Sequence, residues 1–347
     1  MSVSLFTDTD ALESCVGKRP SGSHLKSISY LDEHCRTLLA ASPFSVLGVA
    51  STAEQMRTIA VGGAPGVLAP SGRSEVALPA LAGHDLPEGT AVGVLSFVPG
   101  YRETLRMNGR LRYDDGPTLV VEEAFLHCAK ALIRSSFWVQ PEPDPPGGEP
   151  AEGPTDLSRP EVHTFLHSCP FVVLSSVDGQ GCADVSPKGD PAGLVARVVD
   201  GNTLAVADRP GNRRTDTMHN LIDNDVIGVL AMIPGSERVL EVRGRAGVTA
   251  DEAVRTVLTA NDKLPTAAIV VSADEVEFRQ EPAIAAAGLW DVERHLDPAS
   301  LPKPTRIWVD HVKRNDDPGL AAKAARRAVN ARMLERSIDK DYRENLY

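Results

Sequence analysis

The sequence predicts an α+β, mostly β fold made of two tandem copies of one small barrel-like domain, with a carboxy-terminal helix outside the repeat. Three observations carry this. A strand-turn-strand motif occurs twice. A joint dense in proline, glycine and acid separates the occurrences. Short β-branched runs such as FVVLSSV, TLAVA and AAIVVSA alternate with glycine and proline turns on the joint's far side.

The motif is VGVLSFVPGYRETLRMNGR (Val92 to Arg110) against IGVLAMIPGSERVLEVRGR (Ile227 to Arg245), an ungapped offset of 135. Gly93, Val94, Leu95, Pro99, Gly100, Leu105, Gly109 and Arg110 each meet an identical residue, and the rest keep the alternation of paired strands around a PG turn. Upstream, SPFSVLGV (Ser42 to Val49) parallels CPFVVLSS (Cys169 to Ser176) at offset 127, and GGAPG falls on GDPAG at the same offset. Each copy closes on a third match, EEAFLHCAKALIRSSFW (Glu122 to Trp138) with DEVEFRQEPAIAAAGLW (Asp274 to Trp290), at offset 152. The growing offset implies insertions in copy two. One of them, Thr249 to Asp262, has helical spacing at Ala253, Val254, Val257 and Leu258 after an acidic start.

These matches place copy one at 25–139, a linker at 140–160, copy two at 161–295 and a tail at 296–347. The linker's composition cannot sustain a helix or bury an apolar face. Within the tail, LPKPTRIWVDHVK reads as a loop and GLAAKAARRAVNARMLERSIDK as one alanine-rich helix.

A formal charge of -11 over 347 residues argues against a nucleic-acid or anionic-membrane surface, so any phosphate site must be a local basic pocket. Five cysteines without metal-ligand spacing, no basic-then-apolar leader and no bilayer-length apolar run predict a cytoplasmic protein. His163 and His167 have the spacing of a two-histidine metal face, but no third ligand accompanies them, and we expect no metal. His127 and Cys128 are neighbours on a strand and point to opposite faces, which disfavours a thiol mechanism. Trp138 and Trp290 read as packing residues. The tail's arginines are offset by Glu335, Asp339, Asp341 and Glu344, so its helix suits docking or homo-oligomer contacts.

Two loops of copy two could bind an anion. ADVSPKGDPAG offers Ser186 and Lys188, and LAVADRPGNRRTD presents Arg209, Asn212, Arg213 and Arg214 ahead of a short helix. With HCAKALIRSSFW of copy one, these segments resemble the FMN-binding split-barrel superfamily related to pyridoxamine 5′-phosphate oxidase. The resemblance implies a tandem-duplicated member whose copies form an intrachain pseudo-dimer of split barrels. It also implies an oxidoreductase acting on a small molecule, with FMN held at the interface and recycled by NAD(P)H, dioxygen or another partner. The alternative it leaves open is a non-catalytic protein that binds flavin, haem or deazaflavin. Pyridoxamine-phosphate oxidation itself is not expected, because no second phosphate-binding set can be assigned.

The copies divide the implied FMN ligands between them. Copy one keeps His127, Lys130 and Arg134, where copy two has Arg279, Pro282 and Ala286. Copy two keeps Ser186 and Lys188, where copy one has Ile59 and Val61, and ALPALAGHD replaces the arginine loop. The resemblance therefore implies one asymmetric site built from Ser186, Lys188, Arg209, Asn212, Arg213, His127, Lys130 and Arg134, and one silent counterpart.

Overall fold

The computed structural model describes residues 3–20, 24–52, 55–139, 151–211, 214–344 and 346. Two helices, α1 (Thr9–Val16) and α2 (Glu33–Ala41), come first, capped by the Asp8 and Asp32 carboxylates. The first sheet contains β1 (Phe44–Thr52), β2 (Gln55–Gly62), β3 (Glu75–Ala77), β4 (Ala91–Phe97), β5 (Thr104–Tyr113) and β6 (Pro117–His127), and is followed by α3 (Lys130–Arg134). After β7 (Gly153–Thr155) and α4 (Pro160–Ser168) come β8 (Phe171–Val177), β9 (Ala183–Gly189), β10 (Ala196–Asp200) and β11 (Thr203–Ala207). Helix α5 (Asp216–Asp223), strands β12 (Val226–Met232) and β13 (Arg238–Thr249), helix α6 (Glu252–Val257), strand β14 (Ala268–Gln280) and helix α7 (Pro282–Ala287) complete that half. Three helices end the chain: α8 (Pro304–Arg314), α9 (Leu320–Ala328) and α10 (Ala331–Glu344).

Both sheets are antiparallel and run in matching order, β2-β1-β4-β5-β6-β3 in the first and β9-β8-β12-β13-β14-β11-β10 in the second, with β7 added on β14. Their registers also correspond: Phe44 faces Phe97 across β1 and β4, and Phe171 faces Met232 across β8 and β12, at the offsets found in the sequence. Each sheet carries a bulge at the same place, between Asn108 and Gly109 and between Arg243 and Gly244. A Cβ on Gly109 would sit 1.9 Å from the Val120 carbonyl oxygen, and one on Gly244 2.0 Å from that of Ser272. Only glycine allows the backbones to approach so closely there, which accounts for the identity of these two positions.

Strands β4, β8 and β12 are buried along their whole length, because each sheet covers its own core with one face and meets the other sheet with the opposite face. Val94 and Leu47 lie in the first sheet's core, whereas their neighbours Leu95 and Val46 join a shared cluster with Phe44, Phe97, Phe137, Phe171 and Trp290. In that cluster the Phe137 ring lies 4.5 Å from Phe171 and 5.5 Å from Trp290. The closing helices are exchanged reciprocally across the interface. Gly62 of β2 lets the Ala283 carbonyl of α7 come within 1.8 Å of where a Cβ would be, and Gly189 of β9 does the same for Ala131 of α3, at 2.0 Å.

Several local expectations are corrected. LPKPTRIWVDHVK is largely helical: Pro304 occupies the first turn, where its missing N–H costs nothing, and Ile307, Trp308, His311 and Val312 form a buried stripe. The predicted single tail helix is two, since Val329 leaves helical geometry and the Asn330 side chain accepts from the Arg332 amide to start α10. The insertion helix is short because β13 runs to Thr249. Residues 140–150 of the linker lie outside the described residues, but Gly153–Thr155 pairs with β14 and Leu157 is buried in the second core. Among the described residues, no helix is long and apolar enough to cross a membrane.

Candidate active site between the two sheets

A cavity of about 450 Å³ lies where β9, the turn after β11 and the start of α5 meet β5, the end of β6 and α3. Local geometry explains which side chains enter it. On β9, Asp184, Ser186 and Lys188 alternate onto one face while Val185 turns into the shared core. Pro187 is tolerated because β9 is an edge strand. On α3, Lys130 and Arg134 are four residues apart and share a face, and the close approach at Gly189 presses that helix onto β9. From the amino terminus, Ser14 to Gly17 at the end of α1 add a further wall.

Six of the eight residues singled out from sequence line this cavity: His127, Lys130 and Arg134 from the first half, and Ser186, Lys188 and Arg209 from the second. Asn212 and Arg213 lie outside the described residues. Lys188 is 3.1 Å from Asp208, and Lys130 is 2.8 Å from Asp341 of α10. Arg134 donates to the carbonyls of Pro210 and Leu346. Arg209 donates to Asp190 at 2.6 Å and to the Leu258 and Lys263 carbonyls at 2.5 and 3.4 Å, so its guanidinium ties the loop together. Burial, reinforced by the Arg106 charge, pushes the His127 pKa down to about 3, leaving a neutral imidazole. Its Nδ1 donates to the Cys128 carbonyl at 3.2 Å, which leaves Nε2 as an acceptor.

At the centre is Arg106, which sequence reading missed. It is 2% exposed, ion-pairs with Asp184 and with Asp216 (3.3 Å), donates to Ser186 Oγ at 3.3 Å, and lies 5.0 Å from the Phe125 ring centroid. Burial draws its pKa down to about 10. Burial would raise Asp216, but Arg106 and Arg214 outweigh it and hold that carboxyl at about 2. Arg214 stacks 3.9 Å from the Phe125 centroid and pairs with Glu123 and Asp216. The signal for Arg106 was present in the aligned motifs: at offset 135 it stands opposite Glu241, the same kind of divided loss as at Lys188 and Lys130.

The pseudo-symmetric location has the opposite character. Ile59 and Val61 replace Ser186 and Lys188 on β2, while Arg279 pairs with Glu241 (3.1 Å) and Glu281 and donates to the Thr58 carbonyl at 3.3 Å. That charge set satisfies itself. His163 and His167 are exposed on α4. The described residues that cluster like metal ligands are instead Asp32, Cys35 and His311, but Arg314 and the Cys35 amide already engage the Asp32 oxygens.

Residues 158–280 match the family described as Pyridoxamine 5′-phosphate oxidase. Over that stretch, which is most of its second half, the chain is similar to the pyridoxamine 5′-phosphate oxidase-like split-barrel family. Among solved structures, HupZ of Group A Streptococcus is 17% identical, covering 35% of this chain and 92% of its own, with a TM-score of 0.30. General Stress Protein 26 of Bacillus anthracis is 18% identical, covering 34% of this chain and 93% of its own, with a TM-score of 0.27. No curated protein matches the chain.

Proposed function

We propose that the protein is an FMN-dependent oxidoreductase acting on a small molecule, with one flavin held in the cavity between the two sheets. The observation that carries this reading is the convergence of cationic and hydroxyl groups from both halves on one cavity, against a self-paired Arg279, Glu241 and Glu281 at the equivalent place. The donor chemistry fits a phosphate-bearing flavin: a hydroxyl at Ser186, ammonium groups at Lys188 and Lys130, guanidinium at Arg134, and the start of α5 all border one space of ordinary ligand size.

When bound, FMN supplies the hydride or electron-pair chemistry, and the protein supplies position and charge. Lys188 would exchange the Asp208 carboxylate for the phosphate, while Lys130 would stay on Asp341 and border the same space. Arg106 would hold β9 and α5 at fixed spacing through Asp184 and Asp216, and neutral His127 would offer an acceptor to a ring N–H or hydroxyl. Arg209 would position its loop rather than touch the ligand.

Lys188→Met and Arg134→Met lie in different halves, and each should weaken FMN binding by about tenfold or more, read by quenching of flavin fluorescence on titration. Undiminished FMN affinity in either variant would remove that residue's half from the site.

A further inference from the structure

A smaller cavity of about 120 Å³ opens beside the larger one and shares Cys128, Gly211 and Arg214 with it. Part of its wall is apolar and largely aromatic, from Phe125 and Leu126 of β6, Trp308 of α8, and Ile338 and Tyr342 of α10, and Lys26, Arg214 and Asp341 add charges. The carboxy-terminal helices, which lie beyond the stretch matched to the family, build this compartment against the first sheet. Cavities of roughly 150 Å³ hold benzene, so a space of this order holds a single ring.

One charged group on its wall is unused. The Lys26 ammonium lies 5.1 Å from the Trp308 ring centroid and has no hydrogen-bond or carboxylate partner among the described residues. Burial draws its pKa below the ordinary lysine value, so an arriving anion would recover charge stabilisation that the folded chain leaves unmet. The other charges on the walls are committed. Asp341 is bound to Lys130 at 2.8 Å, and Arg214 to Glu123 and Asp216 at 2.6 and 2.8 Å.

We propose that this compartment is the substrate subsite and takes a small aromatic carboxylate, its ring among Phe125, Trp308 and Tyr342 and its carboxylate on Lys26. A cationic ring is excluded by the same lysine. The shared walls put the ring against the neighbouring cavity, so the term substrate rests on the flavin reading, whereas the ligand class rests on the compartment alone.

Benzoate is the probe and benzamide its neutral counterpart, titrated calorimetrically into the full chain before and after loading with FMN. Benzoate should bind one per chain and at least about tenfold more tightly than benzamide. Lys26→Met should erase that preference and leave benzamide binding and FMN binding unchanged. Ile338→Trp, which fills the compartment, should abolish binding of both probes while FMN still binds. Equal affinity for the two probes, a benzoate preference that survives Lys26→Met, or one that Lys188→Met removes instead would overturn the assignment. Benzoate binding as described in a chain that takes no FMN would sink the flavin reading alone. FMN binding without benzoate binding would sink this one alone.

Discussion

Gly189→Ala should lower FMN affinity by about a hundredfold or more, whereas Gly62→Ala should leave it within about threefold. The two substitutions are the same steric insult. A Cβ at Gly189 would lie 2.0 Å from the Ala131 carbonyl oxygen of α3, and one at Gly62 would lie 1.8 Å from the Ala283 oxygen of α7. Backbone cannot yield as a flexible side chain can, so each variant must push its closing helix off the facing strand. Overpacking of this kind costs about 1–3 kcal/mol of stability, and both variants should lose it equally in urea denaturation. Only α3 carries Lys130 and Arg134 into the cavity; α7 presents Pro282 and Ala286 to the silent location. Displacement of α3 therefore removes two cations from the site at once. Equal loss of FMN binding in both variants would show that overall integrity, not the placement of α3, controls the site.

Arg106→Leu should destabilise the protein by about 3–5 kcal/mol, because it leaves the buried Asp184 carboxylate without its cation and Asp216 with Arg214 and the more distant Arg19. Asp184 is 2% exposed and Asp216 is half-buried, and both are paired to this guanidinium. Arg106→Lys should recover little, since an ammonium cannot reach Asp184, Asp216 and Ser186 from one planar fork. The pH dependence follows from the sign of the Asp216 shift. Its folded pKa of about 2 is below the unfolded value near 3.9, so its contribution is fully present above that value and is lost as pH falls towards 2. In Arg106→Leu that carboxyl titrates at higher pH, so acid destabilisation should begin earlier. Urea denaturation at pH 7 and pH 4 measures both effects, and a variant within about 1 kcal/mol of the parent at pH 7 would remove Arg106 from this role.

Much of the fold was legible because its determinants are local and repeated. The PG turns, the glycines at the two bulges and the apolar runs of the central strands each record a backbone requirement that survives divergence. The asymmetry of the site was legible at Lys188 and Lys130 because chemically distinct residues, Val61 and Pro282, stand opposite them. Arg106 obeys the same logic against Glu241, yet it lies inside a strand rather than in a loop motif, and its partners Asp184 and Asp216 are distant in sequence. The end of α1 against the cavity, and Trp308, Ile338 and Tyr342 over β6, depend on tertiary docking of short segments with weak local patterning. A proline-rich start concealed α8, and one asparagine cap divided the tail helix.

The central claim is that the two halves serve a single flavin, and the stoichiometry of FMN binding tests it most directly. Titration of the purified chain, followed by flavin absorbance and fluorescence, should saturate at one FMN per chain. Saturation at two, or no binding at all, would contradict it.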